Sequence, residues 1–189
     1  MSLSAIYKKI PSYAPDLADD FKSMFVDFKS DLITEEQFIS VSLAICFVIK
    51  NEFLLNNFKS EAVLCLDAST ISCIKSAVIM LARDSVFYKF IDASSNDEIK
   101  SSTINLNEET IDKMNTDHIT LYMSLLAASI LNNCVRNINI YTDKLLARGI
   151  SAEVLLLIAK MAAVLKAIAE SFGIEAIRNY EFTPRGENI

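Results

Sequence analysis

Apolar residues recur along this chain at intervals of three and four, the period of an amphipathic helix, and rarely at the alternation of a strand. After Pro11, the set Leu17, Phe21, Met24, Phe25 and Phe28 predicts a helix over residues 14 to 29. Thr34 followed by Gln37 has the capping-box spacing, with Glu35 and Glu36 where the positive helix end favours acids. That helix is expected to reach about Lys50, and another to run from Asn51 to Leu64. Asp67 or Ser69 can cap a long apolar helix to about Phe90, after which residues 94 to 102 read as a polar loop. A second set of helices starts near Asn115, Thr116 and Asp117, short polar side chains suited to an N-cap. One helix reaches about Asn132, and a second runs from Asn133 to Ala147 with Gly149 at the left-handed C′ position. Ser151 caps a final helix that Gly173 is expected to close, and the tail from Asn179, with Pro184 and Gly186, is expected to fray.

Shifting the chain by 82 residues superposes these two sets. Ser42 then meets Ser124, Asn51 meets Asn133, Leu64 meets Leu146, Ser69 meets Ser151, and Phe90 meets Phe172. Such self-similarity predicts an all-α fold of two similar helical halves, 1–92 and 104–178, followed by a tail, 179–189, in one compact domain.

Composition sharpens this picture. Three Gly, three Pro and 52% hydrophobic residues among 189 favour long helices over turn-rich β architecture. A net charge of −6 without a basic patch excludes nucleic acid as a partner. Mean hydropathy is +0.31, yet the longest apolar runs, Phe38 to Ile49 and Ile119 to Leu131, fall short of the ~20 residues needed to span a membrane. No signal-peptide h-region follows Lys8 and Lys9, so a cytoplasmic protein is expected, its surplus apolar surface covered in a homo-oligomer.

Cys46, Cys65, Cys73 and Cys134 lack a metal or redox spacing and read as buried small hydrophobes in a reducing compartment. His118 is the lone histidine and reads as an exposed or capping residue, since no second His exists to share a metal. With one His and three Gly, neither a phosphate loop nor a Ser-His-Asp set can be assembled, and no cofactor or metal site is predicted.

Candidate chemistry centres on the stretch from Leu131 to Gly149. Cys134, Asn137, Ile138 and Tyr141 fall on one helical stripe. This segment resembles the redox helix of alkylhydroperoxidase D-type proteins, within the wider carboxymuconolactone decarboxylase-like superfamily. The family carries Cys-x-x-Cys with a His four residues later and a helix-terminating Gly. Ile10-Pro11-Ser12-Tyr13-Ala14-Pro15-Asp16 is similar to its N-terminal Leu-Pro-x-Tyr-Ala-x-Asp segment. Leu32 to Phe38 resembles the start of its next helix, and Ala77 to Lys89 its Ala-Ile-Met and Val-Phe-Tyr-Arg stretch. The resemblance implies an all-helical protein of two related halves, commonly a trimer. It also implies reduction of organic hydroperoxides, with electrons passing from a dihydrolipoyl partner to a peroxiredoxin. Its active site uses both cysteines, the downstream His, a His between the cysteines and a Glu on the preceding helix. By the same resemblance those positions are Cys134, Asn137, Tyr141, Arg136 and Tyr122 here, so Cys134 alone matches.

A peroxidatic cycle needs a low-pKa thiolate and a resolving thiol within disulfide reach. An Asn at 137 cannot resolve a sulfenic acid, and a phenol, with a reference pKa of about 10, is a poor base. Arg136, two residues from Cys134, faces elsewhere and suits an ion pair. The stretch leaves three functions open: an antioxidant-family protein with weak or lost two-cysteine activity, a ligand-binding or scaffolding oligomer on the same fold, or a non-redox lyase. Cys134 is accordingly either apolar filler or a lone thiol resolved by another molecule.

Overall fold

The computed structural model describes residues 2–29, 31–101 and 116–177. Every regular element among them is helical: α1 (Ser2–Lys9), α2 (Pro15–Phe21), α3 (Glu35–Ile49), α4 (Glu52–Cys65), α5 (Ala68–Ala93), α6 (Asp97–Lys100), α7 (His118–Leu131), α8 (Val135–Leu146) and α9 (Ala152–Ile177). The all-α expectation holds.

Helix starts follow the cap residues. The Thr34 Oγ1 accepts from the Gln37 N–H at 3.1 Å while the Gln37 side chain accepts from the Thr34 N–H at 3.0 Å, a complete capping box. Asn51 caps α4, and of the two candidates for α5 it is Asp67 that accepts, from the Thr70 N–H at 2.6 Å. Asp117 caps α7 through Ile119 and Thr120, and Ser151 accepts from the Val154 N–H at 3.4 Å.

Several boundaries differ from the pattern. The helix expected over 14 to 29 ends at Phe21 as α-helix and continues only as a π turn over Lys22–Val26. Helix α1 has no counterpart among the expected elements. Asn96 caps the single turn of α6 inside the expected polar loop. Gly149 is left-handed (φ 79°), though one residue beyond C′. Gly173 does not close α9. Beyond it Glu175 accepts a hydrogen bond from the Tyr13 hydroxyl at 2.9 Å, and Phe172 packs edge-on against Phe53 at 5.7 Å. Those contacts outweigh the ~1 kcal/mol that a helical Gly costs. The expected start at Asn115 and the tail from Asn179 lie outside the described residues.

Helices α3 and α7 pack together at the centre, and each is buried nearly all round, from Phe38 to Cys46 and from Thr120 to Ser129. This matches their apolarity on every face. Their buried hydroxyls turn back on their own helices: Ser42 donates to the Phe38 carbonyl at 2.8 Å and Ser124 to that of Thr120 at 2.9 Å. Helix α4 packs on α3 and α1, α8 on α7, and α9 across α2, α3 and α7. The expected aromatic stripe is core: Phe21 stacks on Phe25 at 5.0 Å, Phe25 meets Phe38 and Phe58, and Phe28 stacks on Phe38 at 4.0 Å.

Helix lengths along the chain can be compared directly. Helices α3, α4 and α5 hold 15, 14 and 26 residues, while α7, α8 and α9 hold 14, 12 and 26. The turns after α3 and α7 both use a left-handed residue other than Gly, Lys50 (φ 59°) and Asn133 (φ 49°).

The Asp117 cap has a measurable consequence. Burial acts to raise its carboxyl, but hydrogen bonds from the Thr120 hydroxyl and N–H and the Ile119 N–H, with His118 alongside, hold it below the usual carboxylate range. A lowered folded-state value stabilises fully above the ordinary carboxylate range and fades as pH falls through it. Asp117→Ala is expected to cost about 1 kcal/mol at neutral pH. Asp117→Asn should keep the cap but lose its share of acid sensitivity, read as Tm against pH.

Candidate functional site

The end of α7 and the start of α8 place the candidate residues. Asn132 and the left-handed Asn133 turn the chain, and Cys134 becomes the N-cap of α8, not a residue within it. Its backbone is extended, its N–H donates to the Ser129 carbonyl at 3.2 Å, and its carbonyl accepts from the Ile138 N–H. The helix thus starts at Val135, two residues after the expected Asn133, because a left-handed residue cannot begin a right-handed helix.

Cys134 is 1% exposed and packs in a small cluster with Tyr88 and Ile91 of α5, flanked by Phe87 and Ile99. Arg136 lies over this cluster: its guanidinium sits 4.9 Å from the Tyr88 ring centre and pairs with Asp92 at 2.7 Å. The ion pair expected of Arg136 is therefore present.

Asn137 and Tyr141, on the inner face of α8, are buried against α7. The Nδ2 of Asn137 finds no hydrogen-bond partner. Tyr141 meets Tyr122 of α7 at 6.0 Å between ring centres, and both belong to the main core, separate from the Cys134 cluster. The structure therefore joins Tyr122 to Tyr141 but assigns Cys134 to a different packing group.

Three residues that the spacing did not single out converge on the same tyrosines. The Lys144 Nζ lies 5.0 Å from the Tyr122 ring centre and 5.7 Å from that of Tyr141. The Arg148 guanidinium lies 4.8 Å from Tyr122. His118, half-buried rather than exposed, meets Tyr122 at 5.8 Å, and its Nδ1 is buried without a partner. The signal for them was helical: 118 and 122, and 144 and 148, are each one turn apart. Cations over tyrosine rings contribute about 0.5–1 kcal/mol each at such exposed sites. They fix the rings; they provide no carboxylate to orient an imidazole.

The other thiols divide in two. Cys46 is fully buried in α3, and burial pushes its thiol far up. Cys65 and Cys73 are only half-buried, which corrects the expectation that all four are core residues: they sit on the outer ends of α4 and α5. The Cys65 Sγ contacts a Glu35 carboxylate oxygen at 3.9 Å, and partial burial with the Glu35 and Glu61 charges raises its pKa. None of the four forms a disulfide. Among the described residues, no group of three or more His, Cys, Asp or Glu is placed to hold a metal ion, and no helix is long and apolar enough to cross a membrane.

No family model matches the chain. It is 26% identical over 167 residues to the alkyl hydroperoxide reductase AhpD of Coxiella burnetii (strain RSA 493 / Nine Mile phase I), across 88% of this chain and 94% of that protein. It is 25% identical over 169 residues to the proteins of the same name from Brucella anthropi and from Brucella abortus (strain 2308), across 89% of this chain and 95% of each relative. Likeness sustained along nearly the whole of both chains, together with the all-helical architecture, supports an AhpD-like family for this protein.

Proposed function

We propose that this chain is an alkylhydroperoxidase D-like protein of antioxidant ancestry in which two-cysteine hydroperoxide reduction is weak or lost. One observation carries the reading: Cys134 is buried in a cluster with Tyr88 and Ile91, with an Asn where the family's second cysteine would stand. On this reading Tyr122 and Tyr141 occupy the places of the relay Glu and the His, and Lys144 and Arg148 now pack on their rings. A burial-locked thiol without a resolving partner cannot cycle.

The same reading takes 1–92 and 104–178 as two related halves, with support from the repeated helix lengths and paired left-handed turns. It takes the protein as a cytoplasmic homo-oligomer, a trimer by the family's habit, that meets a dihydrolipoyl protein or a peroxiredoxin if any redox role persists. Exposed Val86 and Phe90 on α5, and Leu156, Ile174 and Ile177 on α9, support association. Sedimentation at micromolar concentration is expected to show an oligomer, and a monomer there would count decisively against one.

The activity test compares wild type with Cys134→Ser, supplied with an alkyl hydroperoxide and a dihydrolipoyl donor. The two are expected to consume peroxide at the same background rate. Robust turnover that vanishes in Cys134→Ser would overturn the reading and oblige Cys46, Cys65 or Cys73 to serve as resolving thiol.

A further inference from the structure

A cleft of about 420 Å³ opens between the C-terminal end of α3, the middle of α5 and the turn after α7. It falls within the ~300–1,000 Å³ of small-ligand sites. A second cavity of about 230 Å³ adjoins it, sharing Phe47 and Lys75 as a common wall and continuing between α3, α4 and the start of α5. Their walls are mostly aliphatic, with Val78, Ile79 and Ala82 in the first and Leu43, Val63 and Ile71 in the second.

The charged side chains of this double cleft are all cationic. Lys50 and Lys75 line the larger cavity and Lys59 the smaller, and no Asp or Glu lines either. In a chain with a net charge of −6, three lysines on one groove without an ion pair to any described carboxylate form a local excess of positive charge. Asn132 completes the larger cavity, and its Nδ2 is buried with no hydrogen-bond partner.

Magnitudes select the ligand's charge. The C-terminal ends of α3 and α7 both border the larger cavity, and each carries roughly half a negative charge. Against the full charges of Lys50 and Lys75, that leaves roughly one positive charge. A monoanion is balanced there; a dianion such as a phosphate monoester is not. No Arg among the lining residues can hold phosphate in two parallel hydrogen bonds.

We propose that this double cleft binds a long-chain aliphatic carboxylate, its head group held by Lys50 and Lys75 and its tail laid across Phe47 into the cavity lined by Leu43, Val63 and Ile71. Lys59, at the tail's end, keeps its ammonium in solvent while its stem adds apolar wall. The site stands whether or not Cys134 ever reacts.

The test uses the full chain with dodecanoate and dodecanol, each below the concentration at which it aggregates, followed by calorimetry. Dodecanoate is expected to bind saturably at one site and dodecanol about tenfold more weakly, the scale of one charge-assisted hydrogen bond. Lys75→Gln, at an exposed position, should weaken dodecanoate about tenfold and leave dodecanol unchanged. Ala82→Trp should fill the larger cavity and abolish binding, with the helical circular dichroism intact. Equal affinity for acid and alcohol, no saturable binding, or wild-type binding by Lys75→Gln would each overturn the proposal. So would an oligomer that Ala82→Trp dissociates while dodecanoate leaves it intact, since the groove's occupant would then be a second copy of the chain. Should Ala82→Trp fail to fold, the Lys75→Gln arm still decides.

Discussion

Titrated with a disulfide reagent under native conditions, the protein is expected to surrender two of its four thiols readily and the other two only on unfolding. Cys65 and Cys73 are half-buried on the outer ends of their helices and should react in the first phase. The Cys65 reaction should need a raised pH, because burial and the Glu35 and Glu61 charges hold its thiol up and only the thiolate attacks. Cys46 and Cys134 are both within 1% of complete burial and must wait for an opening of the fold. Each 1.4 kcal/mol of opening slows reaction tenfold, so a modest local opening of ~3 kcal/mol already separates the phases by about 100-fold. Tyr88→Ala should move Cys134 alone into the fast phase, because Tyr88 packs in the Cys134 cluster while Cys46 belongs to the main core. Arg136→Ala should do so only in part, since the guanidinium acts through Tyr88 and Asp92. A Cys134 that reacts in the native wild type as fast as Cys73 would mean that the cover opens freely, and the lost-activity reading would lose its support.

Helix existence was legible in the sequence where a start has a local chemical cause. Thr34 with Gln37, Asn51, Asp67, Asp117 and Ser151 all cap as their side chains dictate. The stops were less legible. Gly173 has the residue type of a terminator, yet contacts of Phe172 and Glu175 with residues more than a hundred positions away carry α9 past it. The reverse occurs at Lys50 and Asn133, which adopt a left-handed backbone without being Gly, a choice set by the turn into the next helix. At the candidate site, periodicity placed Asn137 and Tyr141 on one stripe, and both are buried on α8. It misassigned Cys134, because one left-handed residue moves the helix start and places the thiol under α5 rather than with the tyrosines. Nor can a sequence reveal which cation covers which ring. Lys144 and Arg148 carry the C-terminal charges that any helix tolerates, and only the packing of α8 on α7 brings them over Tyr122.

Restoring the family's residue types is the most demanding test of that packing. In Asn137→Cys a buried amide with an unpartnered Nδ2 gives way to a thiol, which should be neutral or stabilising, since an unsatisfied donor costs about 1–3 kcal/mol. The introduced sulfur lies three residues from Cys134, within reach across the first turn of α8. Adding Tyr122→Glu places a carboxylate where Lys144 and Arg148 now cover a ring, so two cations stand ready to compensate the buried charge. Tyr141→His then sets an imidazole, with a reference pKa of about 6.5, beside that carboxylate. In the triple variant the Cys134 thiolate would attack the peroxide oxygen, releasing an alcohol and forming a sulfenic acid. The introduced thiol would condense with it, releasing water and closing a disulfide that a dihydrolipoyl dithiol reduces. We expect mass spectrometry under mild oxidant to show that disulfide, and peroxide reduction to rise about tenfold or more above wild type. The full ~100-fold that a well-placed base supplies is not expected: Tyr88 and Arg136 still cover Cys134, and adding Tyr88→Ala should bring a further gain. A folded triple variant whose two thiols never pair would mean that the Cys134 side chain is held toward α5 by its packing. Cys134 would then be a core residue, and the proposed descent of this site from a peroxidatic one would rest on the likeness of the chains alone.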